Sequence, residues 1–124
     1  MFELDRHLAQ DIVDRAMAIL PYNVNVMDRQ GVIIGSGDVQ RVDSLHEGAQ
    51  LVLANQRVVA LDEQAAACLQ GVKPGINLPL LHAGRLVGVL GITGDPEQVR
   101  PFAELLRMTA EMLVEQRVLQ AEQH

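Results

Sequence analysis

Asn23-Val24-Asn25-Val26-Met27, then Asp28-Arg29-Gln30-Gly31, then Val32-Ile33-Ile34-Gly35-Ser36 is the stretch on which the fold turns. Polar Asn alternates with apolar Val in the first run, which is the period of a strand. A four-residue turn closing on Gly follows, and Val32, Ile33 and Ile34 supply a partner strand, so residues 23–36 are expected to form a β-hairpin.

Outward from this hairpin the pattern changes to helical spacing on both sides. Leu4, Leu8, Ile12, Val13, Ala16, Ile19 and Leu20 recur every three or four residues and predict an amphipathic helix that Pro21 stops. Beyond Gly35-Ser36-Gly37-Asp38, the segment Ser44-Leu45-His46-Glu47 has the spacing of a capping box, with Ser44 as the cap of a helix reaching about Asn55. Val58-Val59 reads as a short edge strand, and Asp62 as the cap of a small helix through Ala65, Ala66 and Ala67 that closes at Gly71. Asn77–Leu81 and Leu86–Ile92 flank His82-Ala83-Gly84-Arg85 as a second hairpin. In the last segment Pro101 disfavours helical geometry at Arg100, so a short turn at Asp95-Pro96-Glu97 is expected before a long helix from Phe102. There Leu105, Leu106, Thr109, Met112, Leu113, Gln116 and Leu119 repeat at nearly heptad spacing, with no stop signal before His124. The order predicts an α+β fold, an antiparallel sheet covered by helices on one side, with long N- and C-terminal helices.

Composition removes several classes of function. The 124 residues suit one domain, and 48% hydrophobic residues suffice for one core. A net charge of −6 speaks against a nucleic-acid surface, which needs clustered Lys and Arg. Cys68 is the sole cysteine, no apolar run is long enough for a membrane span, and Met1-Phe2-Glu3-Leu4-Asp5 does not open like a signal peptide, so a cytoplasmic protein is expected. With 2% aromatic residues, a ligand is held by hydrogen bonds and charge rather than by stacking. His7, His82 and His124 lack metal-ligand spacing, and neither a metal nor a cofactor is expected.

Three blocks carry a resemblance that spans nearly the whole chain. They are Asn23 to Asp38 with Arg41 and Leu45-His46-Glu47-Gly48-Ala49; Gly75-Ile76-Asn77-Leu78-Pro79-Leu80 with Gly88 to Glu97; and Ala9-Gln10-Asp11-Ile12-Val13 with Met108-Thr109-Ala110-Glu111-Met112. Together they resemble the sugar diacid recognition domain at the N-terminus of the carbohydrate diacid regulators. The resemblance implies residues 1–124 as one sensor domain, preceding a helix-turn-helix region outside this chain that reads DNA. The ligand it implies is galactarate, glucarate or glycerate. The order of elements also looks like a PAS-type sensor, with about five strands.

The candidate contacts follow from what a carboxylate needs. Arg41, four residues past Gly37, can fork onto a carboxylate, although a lone arginine is often merely solvated. His46, in the first turn of a helix capped by Ser44, could donate to an anion at the helix N-terminus, or be a surface histidine beside a cap. Ser36 offers a hydroxyl, and Gly37 a close backbone approach, though tight turns use the same residues. Pro74 and Pro79 suggest an irregular strand entrance whose Gly75, Ile76 and Asn77 amides point at the other end of the ligand, with a bulged edge strand as the competing explanation. Thr93 is a lesser candidate. Two other functions fit the residues: a hydrolase or isomerase with His46 as base, and a ligand-free homodimerisation module built on the terminal helices.

Overall fold

The structure is a computed structural model that describes residues 2–123; Met1 and His124 lie outside the described residues. Its elements run α1 (Arg6–Met17), β1 (Val24–Met27), β2 (Ile33–Ser36), a 3-10 turn (Val39–Arg41), α2 (Glu47–Asn55), β3 (Val59–Leu61), α3 (Glu63–Ala67), β4 (Gly75–His82), β5 (Arg85–Thr93) and α4 (Pro96–Glu122). The five strands form one antiparallel sheet in the order β2-β1-β5-β4-β3. Both expected hairpins are present. In the first turn, Asp28 Oδ1 accepts the amides of Gln30 and Val32, at 2.9 and 3.1 Å, and Gly31 supplies the positive φ of 84° that the turn requires.

The sheet is covered on both faces, not one. Val24, Val26, Ile76, Leu78, Leu90 and Ile92 point to one side and pack with Leu8, Ile12 and Val13 of α1 and Leu106, Ala110 and Val114 of α4. Met27, Ile33 and Val89 point to the other and pack with Ala49 and Val52 of α2. The period-2 alternation of the strands was legible, but β1 and β5 carry apolar residues on both parities, the pattern of a sheet buried on both faces.

Three local expectations need correction. Ser44 is not the cap of α2: its hydroxyl donates to the Arg41 carbonyl, and His46 caps the helix, its Nδ1 accepting the Ala49 amide at 2.9 Å. Helix α4 runs unbroken from Pro96 through Pro101 to Glu122, with no separate turn. A proline inside a helix costs roughly 3 kcal/mol; burying Val99, Leu106 and Val114 against the sheet returns about 1.5–3 kcal/mol apiece. Finally, β4 is continuous from Gly75 to His82, with its one register shift at Leu80/Leu81 rather than at its entrance, because Pro79 lies beyond the end of β3, whose pairing stops at Asn77. A missing N–H on that side breaks no ladder bond.

Helix α1 approaches β2 closely at Gly35, where an added Cβ would lie 2.8 Å from the backbone of Ala9. Gly35→Val should therefore lower the unfolding free energy by about 1–3 kcal/mol in urea titrations at unchanged m-value; an unaltered midpoint would show that α1 does not seat on β2 in this way.

Candidate functional site under helix α2

A polar row crosses the α2 face of the sheet. Register places Ser36 beside Asn25, Asn25 beside Gly91, Gly91 beside Asn77 and Asn77 beside Val59. Ser36, Asn25 and Asn77 are buried, each 4% exposed or less, in a sheet otherwise lined by aliphatic side chains. Gly91 in the middle makes room: a Cβ there would lie 2.7 Å from Asn77 Oδ1. On the β2 side the groups are satisfied by each other. Asn25 Oδ1 accepts the Ser36 hydroxyl at 2.6 Å and the Asn23 amide at 3.0 Å, while Ser36 Oγ accepts the Asp38 amide at 3.0 Å. The Asn77 side chain, by contrast, has no hydrogen-bond partner among the described residues.

His46 is buried where the chain enters α2. Its Nδ1 accepts from Ala49, which leaves the proton on Nε2 and makes the ring a neutral donor. Burial first, and the Arg41 charge second, lower its pKa from 6.5 to about 4. In the first turn of α2, the Glu47 amide is taken by the Gln70 carbonyl and that of Ala49 by His46, leaving the Gly48 amide without a partner among the described residues.

Arg41 ends the 3-10 turn. One terminal nitrogen donates to the Gly71 carbonyl at 2.9 Å; the other, Nη1, is buried and has no hydrogen-bond partner among the described residues. Burial pulls the guanidinium below its ordinary pKa, and the charge of Asp38 works against that shift. A cationic donor out of water with no acceptor is costly, and a carboxylate is the acceptor that a guanidinium fits best. Arg41 borders a cleft of about 360 Å³ shared with Asp38, Gln40, Ser44, Gly71 and Lys73.

The remaining candidates divide. Thr93 sits at the end of β5 beside Gly75 and borders a second cleft, of about 530 Å³, with Asp62, Glu63, Lys73 and Asp95; Lys73 lines both clefts. Gly37 faces away from α2: its amide donates to Val24, and a Cβ would strike Met17 and Asn23. Ile76 turns into the α1/α4 core, and Gly75, Ile76 and Asn77 are paired with β3 on one side and β5 on the other. Their amides do not form the exposed donor set expected from the sequence, because β4 is an internal strand. Of this segment it is the Asn77 side chain that reaches the polar row. Asn25 and Gly91 were missed; the Asn-Val alternation of a strand destined for burial was the signal for Asn25.

Residues 4–124 match the family model described as "Putative sugar diacid recognition". The chain belongs to the sugar diacid recognition family. The carbohydrate diacid regulator of Escherichia coli K12 is 56% identical over 115 residues, covering 93% of this chain and 30% of that protein. An uncharacterized protein of Haemophilus influenzae is 48% identical over 118 residues, covering 94% and 32%. The chain thus spans about a third of the length of these relatives. Among solved structures, the GAF domain of an Acinetobacter phosphoenolpyruvate-protein phosphotransferase superposes with TM-score 0.62 at 16% identity, over 97% of this chain and 88% of that one. The cofactor-binding GAF domain of the nutrient sensor CodY from Clostridium difficile superposes with TM-score 0.54 at 18% identity, over 90% and 83%. The fold is GAF-like and PAS-like. No helix among the described residues is long and apolar enough to cross a membrane, and no group of three metal-ligating side chains occurs among them.

The depressed pKa of His46 has a defined sign. The unfolded chain takes up a proton near pH 6.5 and the folded one only near 4, so this contribution is complete above pH 6.5, falls between 6.5 and 4, and changes no further below 4. The loss across that window should be about 3 kcal/mol. His46→Asn keeps a capping side chain but cannot titrate; chemical denaturation at intervals from pH 7 to 4 should show its stability falling less steeply than that of the parent, and parallel curves would refute the assignment.

Proposed function

We propose that this domain senses a small sugar-derived carboxylic acid, galactarate, glucarate or glycerate, for a transcription regulator, and catalyses no reaction. The carrying observation is Arg41 Nη1, a buried cationic donor without an acceptor. A ligand carboxylate would take it, with His46 Nε2–H and the Gly48 amide as further donors and Asn77, Ser36 and Thr93 toward the hydroxyls. The E. coli relative's name as a carbohydrate diacid regulator supports the ligand class. Against catalysis, the Nδ1 of His46 is engaged by a helix amide, and the Glu47 carboxylate accepts from Gln70, so the two do not form an acid–base pair.

The site is also wired to the terminal helices. Gln10 of α1 clips the backbone of Ser36 from both sides, donating to its carbonyl at 3.1 Å and accepting its amide at 3.1 Å. Movement of Ser36 on ligand binding would therefore reach α1, and through their shared core α4. In the proposed regulator this is the path toward a DNA-binding region beyond α4, in a cytoplasmic protein. The two helices also frame an apolar groove of about 260 Å³ lined by Ile12, Ala16, Leu20, Phe102 and Leu105, beside an exposed ridge of Leu105, Met108 and Met112. That ridge supports a homodimer through α1 and α4, and the same surface is what a ligand-free dimerisation module would use.

Isothermal titration with the three acids should show saturable binding to the parent that weakens roughly ten- to a hundredfold in Arg41→Ala, the worth of one charged hydrogen bond. Absence of heat with every acid into the millimolar range would favour the dimerisation module. Separately, Met108→Glu with Met112→Glu should convert the domain to monomers in sedimentation velocity without altering its circular dichroism; an unchanged sedimentation coefficient would remove the ridge from the interface.

A further inference from the structure

Resting on that reading of Arg41, we infer that Gln70–Lys73 is a strap that closes the Arg41 cleft over a bound anion, with Gly71 positioning Arg41 and Lys73 supplying a second cation. The strap lies between α3 and β4, and none of its residues is buried, although Ala66 before it and Gly75 after it are. Among the described residues it is tied to the rest of the molecule at two places. Glu47, the first residue of α2, grips Gln70 from both sides: its amide donates to the Gln70 carbonyl at 3.1 Å, and its carboxylate accepts the Gln70 amide at 2.6 Å. The Gly71 carbonyl then accepts from Arg41 at 2.9 Å. An exposed segment held by so few bonds opens locally at far smaller cost than the core.

The closed position is nonetheless specific. Gly71 has a φ of 73°, and a Cβ there would strike the Leu45 carbonyl oxygen, so glycine is what lets the strap lie against the entrance to α2. Closed, it sets Gly71, Val72 and Lys73 along the cleft of about 360 Å³ that Arg41 borders. Lys73 has no ion pair among the described residues. Two cations, Arg41 and Lys73, and one anion, Asp38, line this cleft, whereas the whole chain carries a net charge of −6. The strap's bond to Arg41 uses one terminal nitrogen and leaves Nη1 open, so an anion need not displace the strap. The anion and the Gly71 carbonyl would hold the same guanidinium from two sides. Whatever fixes the strap then favours the anion, and by linkage the anion fixes the strap to the same extent.

The test is to titrate the chain with glycerate, galactarate and glucarate while following exchange of the Gln70 amide by NMR. A bound acid should slow that exchange at least about fivefold. Glu47→Ala removes the acceptor of the Gln70 amide and, with it, a negative charge. Loss of the charge alone would strengthen anion binding, but a loosened strap weakens it, and the acids should bind roughly fivefold more weakly. Glu47→Gln keeps an acceptor without the charge and should restore at least the parental affinity. Lys73→Gln should weaken binding about three- to tenfold, an effect that fades with added salt because Lys73 is exposed. Acid binding that leaves Gln70 exchange unchanged or faster, or that tightens in Glu47→Ala, overturns the strap and leaves the acid-sensor reading standing. Parental affinity in Lys73→Gln overturns its role as second cation. Failure of all three acids to bind overturns both the strap and the reading beneath it.

Discussion

The alternation of side chains along the central strand β5 is the constraint from which the rest of the molecule follows. Leu90 and Ile92 face α1 and α4, Val89 and Gly91 face α2, and because helices cover both faces neither set reaches water. The first face is filled with buried aliphatic side chains, with Phe2, Tyr22 and Phe102 packed against them, and holds the terminal helices. The second is aliphatic only as far as Val89. Past it the side chain disappears at Gly91, and the space is taken by the amide of Asn77 from one neighbouring strand and lies beside Asn25 on the other. A fold that needed only stability would have placed a valine there, since buried amides contribute little net stability and cost dearly when unpaired.

Arg41 and His46, at the entrance to α2, each give up part of their bonding capacity to the backbone. Each has one nitrogen fixed, on the Gly71 carbonyl and on the Ala49 amide, which restrains the other. Donors held this way need little reorganisation when an anion arrives, and preorganisation is where binding sites of this size gain most of their affinity. The clip between Gln10 and the Ser36 backbone ties the edge strand β2 to α1. A regulatory domain requires both halves of this arrangement, a differential contact with the ligand and an element that the contact can move.

Much of this was legible in the residues and some was not. Strand alternation at Asn23–Met27, the turn at Gly31 and the capping aspartates Asp62 and Asp95 report local chemistry, and local chemistry is what a sequence displays. The cap of α2 was misread because Ser44 and Glu47 have the spacing of a capping box while tertiary contacts reassign both, Ser44 to the Arg41 carbonyl and Glu47 to the Gln70 amide. Pro101 was expected to delay the helix, yet the buried stripe around it outweighs one lost bond. Arg41, His46, Ser36 and Asn77 were singled out from the sequence and come to the α2 side of the sheet. Gly75 and Ile76 were assigned backbone roles that an internal strand cannot offer. Gly91 depends on register between strands far apart in the chain, which no local pattern reveals.

The central claim is that Arg41 Nη1 is the anchor of the ligand carboxylate. A crystal structure of the domain grown with saturating D-glycerate tests it directly. The account expects carboxylate oxygen within hydrogen-bond distance of Arg41 Nη1, with the ligand lying beneath the N-terminus of α2. Ligand density elsewhere, with Nη1 still lacking an acceptor, would contradict it.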